Sequence, residues 1–118
     1  MVAIHITERA TLEIQAIEEY SKNRWGEHRA TRYISGVDEA LTLLSNHPNL
    51  LQTKSEISAH LKFYLSGEHI LVFAQFNDDI YLITVMHSRM NLSHRIQELE
   101  PTLRSEVEIM HNTVLQNL

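Results

Sequence analysis

Hydrophobic and polar positions alternate at the start of the chain and then recur at the spacing of a helix. Residues 3–6 alternate and include β-branched side chains, which predicts a short first strand. Thr7 is placed to cap a helix over residues 8–23, and Gly26 is placed to end it. The apolar positions of this helix are Ala10, Ile14, Ile17 and Tyr20.

A second helix is predicted over residues 27–46, where the helical periodicity is strongest. Its apolar stripe consists of Ala30, Tyr33, Ile34, Val37, Ala40, Leu41 and Leu44. Pro48 follows closely and cannot continue a helix, so the segment 46–49 should end it. Because so few residues separate the two helices, we expect an antiparallel helical hairpin.

After a segment of mixed character at residues 49–60, the hydrophobic period changes to two. Strands are predicted over residues 61–65, 69–76 and 80–86, with turns at 66–68 and 77–79. The last two strands are nearly continuous apolar runs, which indicates central strands covered on much of both faces. A meander packed on a helical hairpin gives an α+β domain with the order β-α-α-β-β-β.

The C-terminal tail carries a further amphipathic pattern. Glu100 and Pro101 are typical of the N-cap and first residue of a helix. The apolar positions that follow are Leu103, Val107, Met110 and Val114, with Leu99 and Leu118 at the edges. We therefore predict a core over residues 1–97 and an added amphipathic helix over 98–118 of the same domain. Such a helix must bury its stripe against the chain's own sheet, a second copy or a partner.

Composition narrows the class of protein. The 118 residues suffice for one domain with a modest core. The absence of cysteine excludes a disulfide framework, a thiolate nucleophile and a cysteine-ligated zinc. We recognise no signal peptide and no apolar run of membrane-spanning length, so we expect a cytoplasmic protein without a membrane partner. The formal net charge of -5 argues against non-specific binding of nucleic acid.

Several short runs are informative when they are taken in order. They are residues 18–26, 30–33, 40–48, 66–73 and 85–92. The first contains Arg-Trp-Gly at 24–26, and the last is Val-Met-His-Ser-Arg-Met-Asn-Leu. Over roughly residues 3–96, this ordered set resembles the ParE branch of the ParE/RelE superfamily of bacterial toxins. Asn91 departs from the family pattern, which has aspartate there.

The resemblance implies the toxin component of a type II toxin–antitoxin system, of the kind associated with plasmid stabilisation. Its partner would be a cognate ParD-like antitoxin of the ribbon-helix-helix type, in a hetero-oligomer, and a homodimer is the alternative assembly. The ParE branch is associated with inhibition of DNA gyrase, whereas the RelE branch cleaves messenger RNA on the ribosome. Neither a cofactor nor a metal is expected.

The resemblance also suggests two binding surfaces. An antitoxin helix is expected in the groove between the hairpin and the sheet, and the candidates there are Ile14, Ile17, Tyr33, Val37 and Leu41. The candidates for binding the target are His87, Arg89, Met90 and Arg95. His87 has a structural alternative, a histidine that satisfies a turn, and Arg89 has the alternative of a solvated side chain.

A ribonuclease is the main alternative function. RNA cleavage through the 2′-hydroxyl needs a base, an acid and cations for the phosphate. The candidates for these roles are Lys54, Lys62, His87 and Arg89. Where many relatives carry Tyr-Arg on the middle strand, this chain has Phe73-Ala74, which weakens the alternative. We therefore favour a protein-binding toxin over an enzyme, and keep a non-toxic, attenuated family member as a third hypothesis.

The remaining conspicuous side chains suggest structure rather than chemistry. Tyr20 and Trp25 are expected in the core of the hairpin rather than in a stacking platform. Four histidines were weighed as a metal site, but their spacing does not match any metal-ligand motif; they are His60, His69, His87 and His94.

Overall fold

The computed structural model describes residues 1–116 and shows a five-stranded sheet with helices on both faces. In chain order the elements are β1 (Ile4–Ile6), α1 (Glu8–Trp25), α2 (Glu27–Asn46), β2 (Gln52–Thr53), β3 (Leu61–Ser66), β4 (His69–Phe76), β5 (Asp79–His87) and α3 (Leu92–Gln116). The strand order is β1-β5-β4-β3-β2, with β1 parallel to β5 and the other pairs antiparallel. The predicted α+β class and element order are confirmed, with the short edge strand β2 as an addition.

Local sequence signals account for the ends of α1. Thr7 caps this helix, since its hydroxyl accepts a hydrogen bond from the Ala10 amide at 3.2 Å. The same hydroxyl lies 3.3 Å from the Ile83 carbonyl oxygen, to which it can donate. Gly26, at φ 98°, ends α1 and leads directly into α2, a conformation that side chains with a Cβ rarely adopt. The hairpin is therefore joined through a single residue.

The sheet is covered on one face by the hairpin. Side chains of α1 and α2, chiefly Ala10, Ala40 and Leu44, pack against Leu71 and Phe73 of β4 and their neighbours on β5. This packing joins the two halves of the β-α-α-β-β-β core and buries the hairpin stripe that the sequence predicts.

Helix α3 covers the opposite face. Its buried residues Ile96, Leu103 and Val107 pack against side chains of β3, β4 and β5. Two polar contacts fix the helix in place: the Tyr81 hydroxyl lies 2.7 Å from His111 Nδ1, and Arg9 binds the Glu106 carboxylate at 2.8–3.1 Å. The amphipathic tail therefore buries its stripe on the chain's own sheet, one of the three arrangements that the sequence left open.

The predicted start of the C-terminal helix was wrong. The helix begins at Leu92, because Asn91 caps it: the Asn91 side-chain oxygen accepts a hydrogen bond from the His94 amide at 3.1 Å. Pro101 lies inside the helix, and the Glu100 carboxylate accepts a hydrogen bond from the Ser58 hydroxyl at 2.8 Å instead of capping. Leu118, predicted at the edge of the apolar stripe, lies outside the described residues.

The expectation that Tyr20 and Trp25 belong to the hairpin core was also wrong. Tyr20 is 58% exposed and Trp25 is 48% exposed. The buried position near the end of α1 belongs to Ser21, four residues after Ile17, and Ala30 is buried at the start of α2. Small side chains occupy the narrow end of the hairpin, so the two large rings lie outside it.

Within residues 1–116, no helix is both long enough and apolar enough to cross a membrane.

Replacing Leu103 with alanine should destabilise the chain, because this fully buried side chain fills the interface between α3 and the sheet. We expect a loss of about 2–5 kcal/mol in the free energy of unfolding. The matched control is Leu115→Ala in the same helix, where the side chain is half exposed and the loss should stay near about 0.5 kcal/mol. Urea unfolding of both variants measures the difference, and equal losses would contradict the packing of α3.

Candidate functional site

A β-bulge in β5 decides which side chains face the hairpin at one end of the sheet. Val72 pairs with Thr84 but the next residue, Phe73, pairs with Leu82, so Ile83 is the extra residue of β5. Before the bulge, Ile80 and Leu82 face the hairpin, and after it Val85 does. The alternation is therefore shifted by one residue, and His87 lies on the hairpin side, opposite His69.

The bulge is supported by a carboxylate from α1. Glu13 Oε1 accepts hydrogen bonds from the Thr84 hydroxyl at 2.7 Å and from the Val85 amide at 3.2 Å. A bulge disturbs the ladder and leaves backbone groups in need of partners, and a buried amide without one costs about 1–3 kcal/mol. Glu13 thus joins the helical hairpin to the irregular part of β5.

Two histidines and a tyrosine meet where β4 begins and β5 ends. The ring centroids of His69 and His87 are 5.4 Å apart, and those of Tyr33 and His69 are 5.1 Å apart. Burial and the nearby Glu13 charge raise the pKa of the Tyr33 hydroxyl to about 12, so this group stays neutral at physiological pH. The pKa of His69 is lowered, first by burial and then by the neighbouring His87, with Glu68 opposing the shift.

His87 organises the turn that follows β5. Its Nδ1 accepts a hydrogen bond from the Arg89 amide at 3.0 Å, and its carbonyl oxygen accepts one from the Met90 amide at 3.0 Å. Its Nε2 lies 3.9 Å from Glu68 Oε2, at the margin of an ion pair. The ring therefore makes the hydrogen bond within a turn that the structural alternative for His87 predicts. Because Nδ1 accepts this hydrogen bond, the proton of the neutral ring is on Nε2.

The four target-binding candidates lie along one short stretch of chain. His87, Arg89 and Met90 belong to the turn between β5 and α3, and Arg95 lies in the first turn of α3, 3.7 Å from Glu98. The side chains of Arg89 and Arg95 are exposed, and Met90 is 49% exposed. We call residues 87–95 the post-β5 strip.

The four ribonuclease candidates are divided between the two ends of the sheet. Lys62 pairs across β4 with Phe73, which pairs with Leu82, five residues before His87. Because Ile83 is a bulge residue, the span along β4 is four residues, from Phe73 to His69, the partner of His87. With about 3.3 Å per residue and two strand spacings of about 4.8 Å, the backbones of Lys62 and His87 are roughly 16 Å apart. Lys54 follows β2, beside Lys62, and Arg89 remains with His87. The lysines therefore cannot act on a phosphate held beside the histidines.

The antitoxin-binding candidates lie between the hairpin and the sheet. Val37 is buried, and Ile14, Ile17 and Leu41 are partly buried against the core of the chain. Tyr33 is partly buried beside His69. Their apolar side chains already pack within the chain. An antitoxin would therefore contact the exposed parts of the four partly buried residues, which are Ile14, Ile17, Tyr33 and Leu41.

Sequence analysis did not identify the contact of His69 with His87 and Tyr33, nor the role of Glu13. The strand lengths give a signal for the histidine pair, because a two-residue turn sets the register of β4 and β5. That register without a bulge pairs His69 with Met86, and only the extra residue Ile83 brings His87 opposite. Among the residues that the structure describes, no group of three or more histidine, aspartate and glutamate side chains is arranged to hold a metal ion.

Comparisons of sequence and of fold with known proteins point to one family. A family profile described as the ParE toxin of the type II toxin–antitoxin system parDE matches residues 4–92. Toxin ParE1 of Caulobacter vibrioides is 28% identical over 91 residues, which cover 77% of this chain and 94% of the relative. A structure titled as the chromosomal ParDE toxin–antitoxin system from P. aeruginosa superposes with a TM-score of 0.65 at 13% identity, covering 74% of this chain and 96% of the other. The family match ends at Leu92, where α3 begins.

The lowered pKa of His69 should make the chain less stable in mild acid. A histidine whose pKa is lower in the folded state contributes fully to the free energy of unfolding when the pH is above its unfolded pKa, near 6.5. This contribution is lost as the pH falls through the lower pKa of the folded state. We expect the urea midpoint to fall between pH 7.5 and pH 5, and to fall less in His69→Gln. His28→Gln on the exposed face of α2 is the matched control and should behave like the unchanged chain. An NMR titration of His69 at its ordinary pKa would contradict the expectation.

Proposed function

The chain belongs to the ParE toxin family of type II toxin–antitoxin systems, and we propose that it inhibits DNA gyrase by binding it. An antitoxin of the ribbon-helix-helix type, encoded beside it, holds the toxin inactive. Both steps take place in the cytoplasm, where gyrase and replicating DNA are found. Inhibition by binding requires an exposed complementary surface and no set of reacting groups.

The division of the ribonuclease candidates between the two ends of the sheet carries this proposal. A ribonuclease needs its base, acid and phosphate-binding cations within hydrogen-bond distance of one scissile bond. Lys54 and Lys62 lie at the end of the sheet remote from His87 and Arg89. With Phe73 and Ala74 on the middle strand, this fold supports a binding protein better than an enzyme.

The post-β5 strip is the surface that we propose for gyrase. It presents two exposed arginines, Arg89 and Arg95, around the exposed Met90. Arginine and methionine are enriched in protein–protein interfaces. The tight turn after β5 holds the first part of the strip in one conformation, which lowers the entropy lost on binding.

The position of α3 favours an active toxin over an attenuated one. The helix covers the face of the sheet opposite the hairpin, while Arg89 and Met90 before it remain exposed. The extension therefore stabilises the fold without covering the strip. We therefore propose that the extension stabilises the fold and does not cover the working surface of the toxin, which the sequence alone left possible.

Induced expression of the full chain in a bacterial host without antitoxin tests the proposed function. We expect growth arrest with filamentation, an induced DNA-damage response and intact messenger RNA, together with inhibition of gyrase by the purified chain. Rapid cleavage of messages on ribosomes would support the ribonuclease instead. Unimpaired growth in the presence of soluble protein would support the attenuated family member.

Two sets of substitutions separate binding from catalysis. Arg89→Ala should weaken gyrase inhibition several-fold, since it removes an exposed charge from the strip. The double variant Lys54→Ala, Lys62→Ala should arrest growth like the unchanged chain, because these side chains lie at the other end of the sheet. The exposed Arg104→Ala on α3 controls for the loss of one positive charge. Loss of arrest in the lysine variant alone would count against inhibition by binding.

A further inference from the structure

An open groove of about 700 Å³ lies between the start of α1 and the second half of α3. We call it the α1–α3 groove, and its apolar lining consists of Leu12, Ile109 and Met110. Leu12 is 56% exposed and Ile109 is 65% exposed, so the core of the chain does not use most of their surface. The groove therefore offers apolar area and enough space for large side chains of a partner.

One wall of this groove is built by the C-terminal extension. The family profile matches residues 4–92, whereas the lining residues of α3 lie at 106–113. The ion pair of Arg9 with Glu106 at 2.8 Å joins the two walls and fixes their separation. The part of the chain that matches the family does not form this groove by itself, so contacts common to the family do not explain it.

The groove is acidic as well as apolar. Its charged lining residues are Glu8, Arg9, Glu13 and Glu106, three acidic and one basic, which gives a net charge of -2. Glu8 is exposed, and among residues 1–116 no basic side chain lies within ion-pair distance of it. An occupant that combines apolar and basic groups is therefore favoured, and two such grooves placed face to face would repel each other.

The tip of the helical hairpin has the complementary composition. We define the hairpin corner as Tyr20, Lys22, Arg24, Trp25 and Arg29. The Tyr20 and Trp25 rings meet edge to face with centroids 5.7 Å apart, and the Arg29 and Arg24 guanidinium carbons lie 4.5 and 5.5 Å from the centroid of the Trp25 ring. Residues 20–29 contain three basic side chains and one acidic side chain, which gives a net charge of +2.

We propose that the hairpin corner of one copy of this chain binds in the α1–α3 groove of a second copy. Opposite charges meet in this arrangement, and the two rings of the corner supply apolar anchors for the exposed Leu12 and Ile109. Tryptophan, tyrosine and arginine are the residues most enriched among interface hot spots. The contact joins two different surfaces, so copies associate head to tail, as a ring if the rotation closes and as an open chain if it does not.

The two surfaces lie at opposite ends of α1. Leu12 and Trp25 are separated by 13 residues of this helix, which corresponds to about 20 Å along its axis. A chain therefore cannot fill its own groove with its own corner. Each copy offers one corner and one groove at the same time, as head-to-tail association requires.

The exposed anchors are small for a stable interface. Aromatic side chains bury about 150–250 Å² when they are fully covered, so Tyr20 and Trp25, each about half exposed, can bury roughly 75–125 Å² each. Stable interfaces bury about 1,200–2,000 Å² in total. We therefore expect a weak association, seen at high protein concentration and reduced by salt.

Sedimentation velocity of the purified full chain over a series of protein concentrations tests the inference. The mean mass should rise with concentration, and this rise should shrink as salt is added. Ile109→Glu in the groove and Trp25→Ala at the corner should each weaken the association at least tenfold. Leu65→Glu is the matched control, because Leu65 is 60% exposed on β3, which β5 and β4 separate from β1. All three side chains are exposed, so urea unfolding should show that each variant remains folded.

Mixing the two weakened variants tests the head-to-tail geometry directly. Ile109→Glu keeps its corner and Trp25→Ala keeps its groove, so the mixture should form a complex of two copies and nothing larger. Retained association of Trp25→Ala alone would indicate a symmetric contact of two grooves. An unchanged chain that is monomeric at every concentration would leave the groove to a different protein. Either result overturns the inference, as does a mixture in which both variants stay monomeric.

Discussion

The two central strands must be covered on both faces, and the rest of the architecture depends on this constraint. Residues 71–73 of β4 and 80–83 of β5 are at most 1% exposed, although successive side chains point to opposite sides. Each large apolar side chain left in water would cost about 1.5–3 kcal/mol. The hairpin covers one face and α3 covers the other. The C-terminal helix is therefore as much a part of the core as the hairpin is.

Polar groups lie where this two-sided packing is interrupted. The bulge at Ile83 disturbs the ladder, and Glu13 supplies the missing acceptor. Beneath α3, Tyr81 and His111 satisfy one another at 2.7 Å in a buried environment. Such contacts stabilise the fold less than apolar burial does, but a wrong register would leave them unsatisfied. They therefore select one arrangement among several that bury similar apolar area.

The same arrangement leaves exposed much of the post-β5 strip, the surface that we propose for gyrase. The hairpin reaches this strip through the contact of Tyr33 with His69 and that of His69 with His87. The hairpin and residues 87–92 of the strip belong to the part of the chain that matches the ParE family, whereas α3 lies almost entirely beyond it. An extension that packs on the opposite face adds stability and leaves Arg89 and Met90 of the strip accessible.

The sequence by itself determined the elements whose signals are local. The periodicity of 27–46, the cap at Thr7, the glycine at 26 and the apolar runs of β4 and β5 each act within a few residues, and the ordered motifs identified the family. Tertiary structure alone decided three features. Ser21 rather than Tyr20 became buried because the narrow end of the hairpin admits only small side chains. His87 came opposite His69 because a bulge shifted the register, which strand periodicity cannot reveal. Glu100 did not cap a helix because it is bound to Ser58, a contact across 42 residues that no local pattern contains, whereas the cap at Asn91, which starts α3 at Leu92, is a local signal.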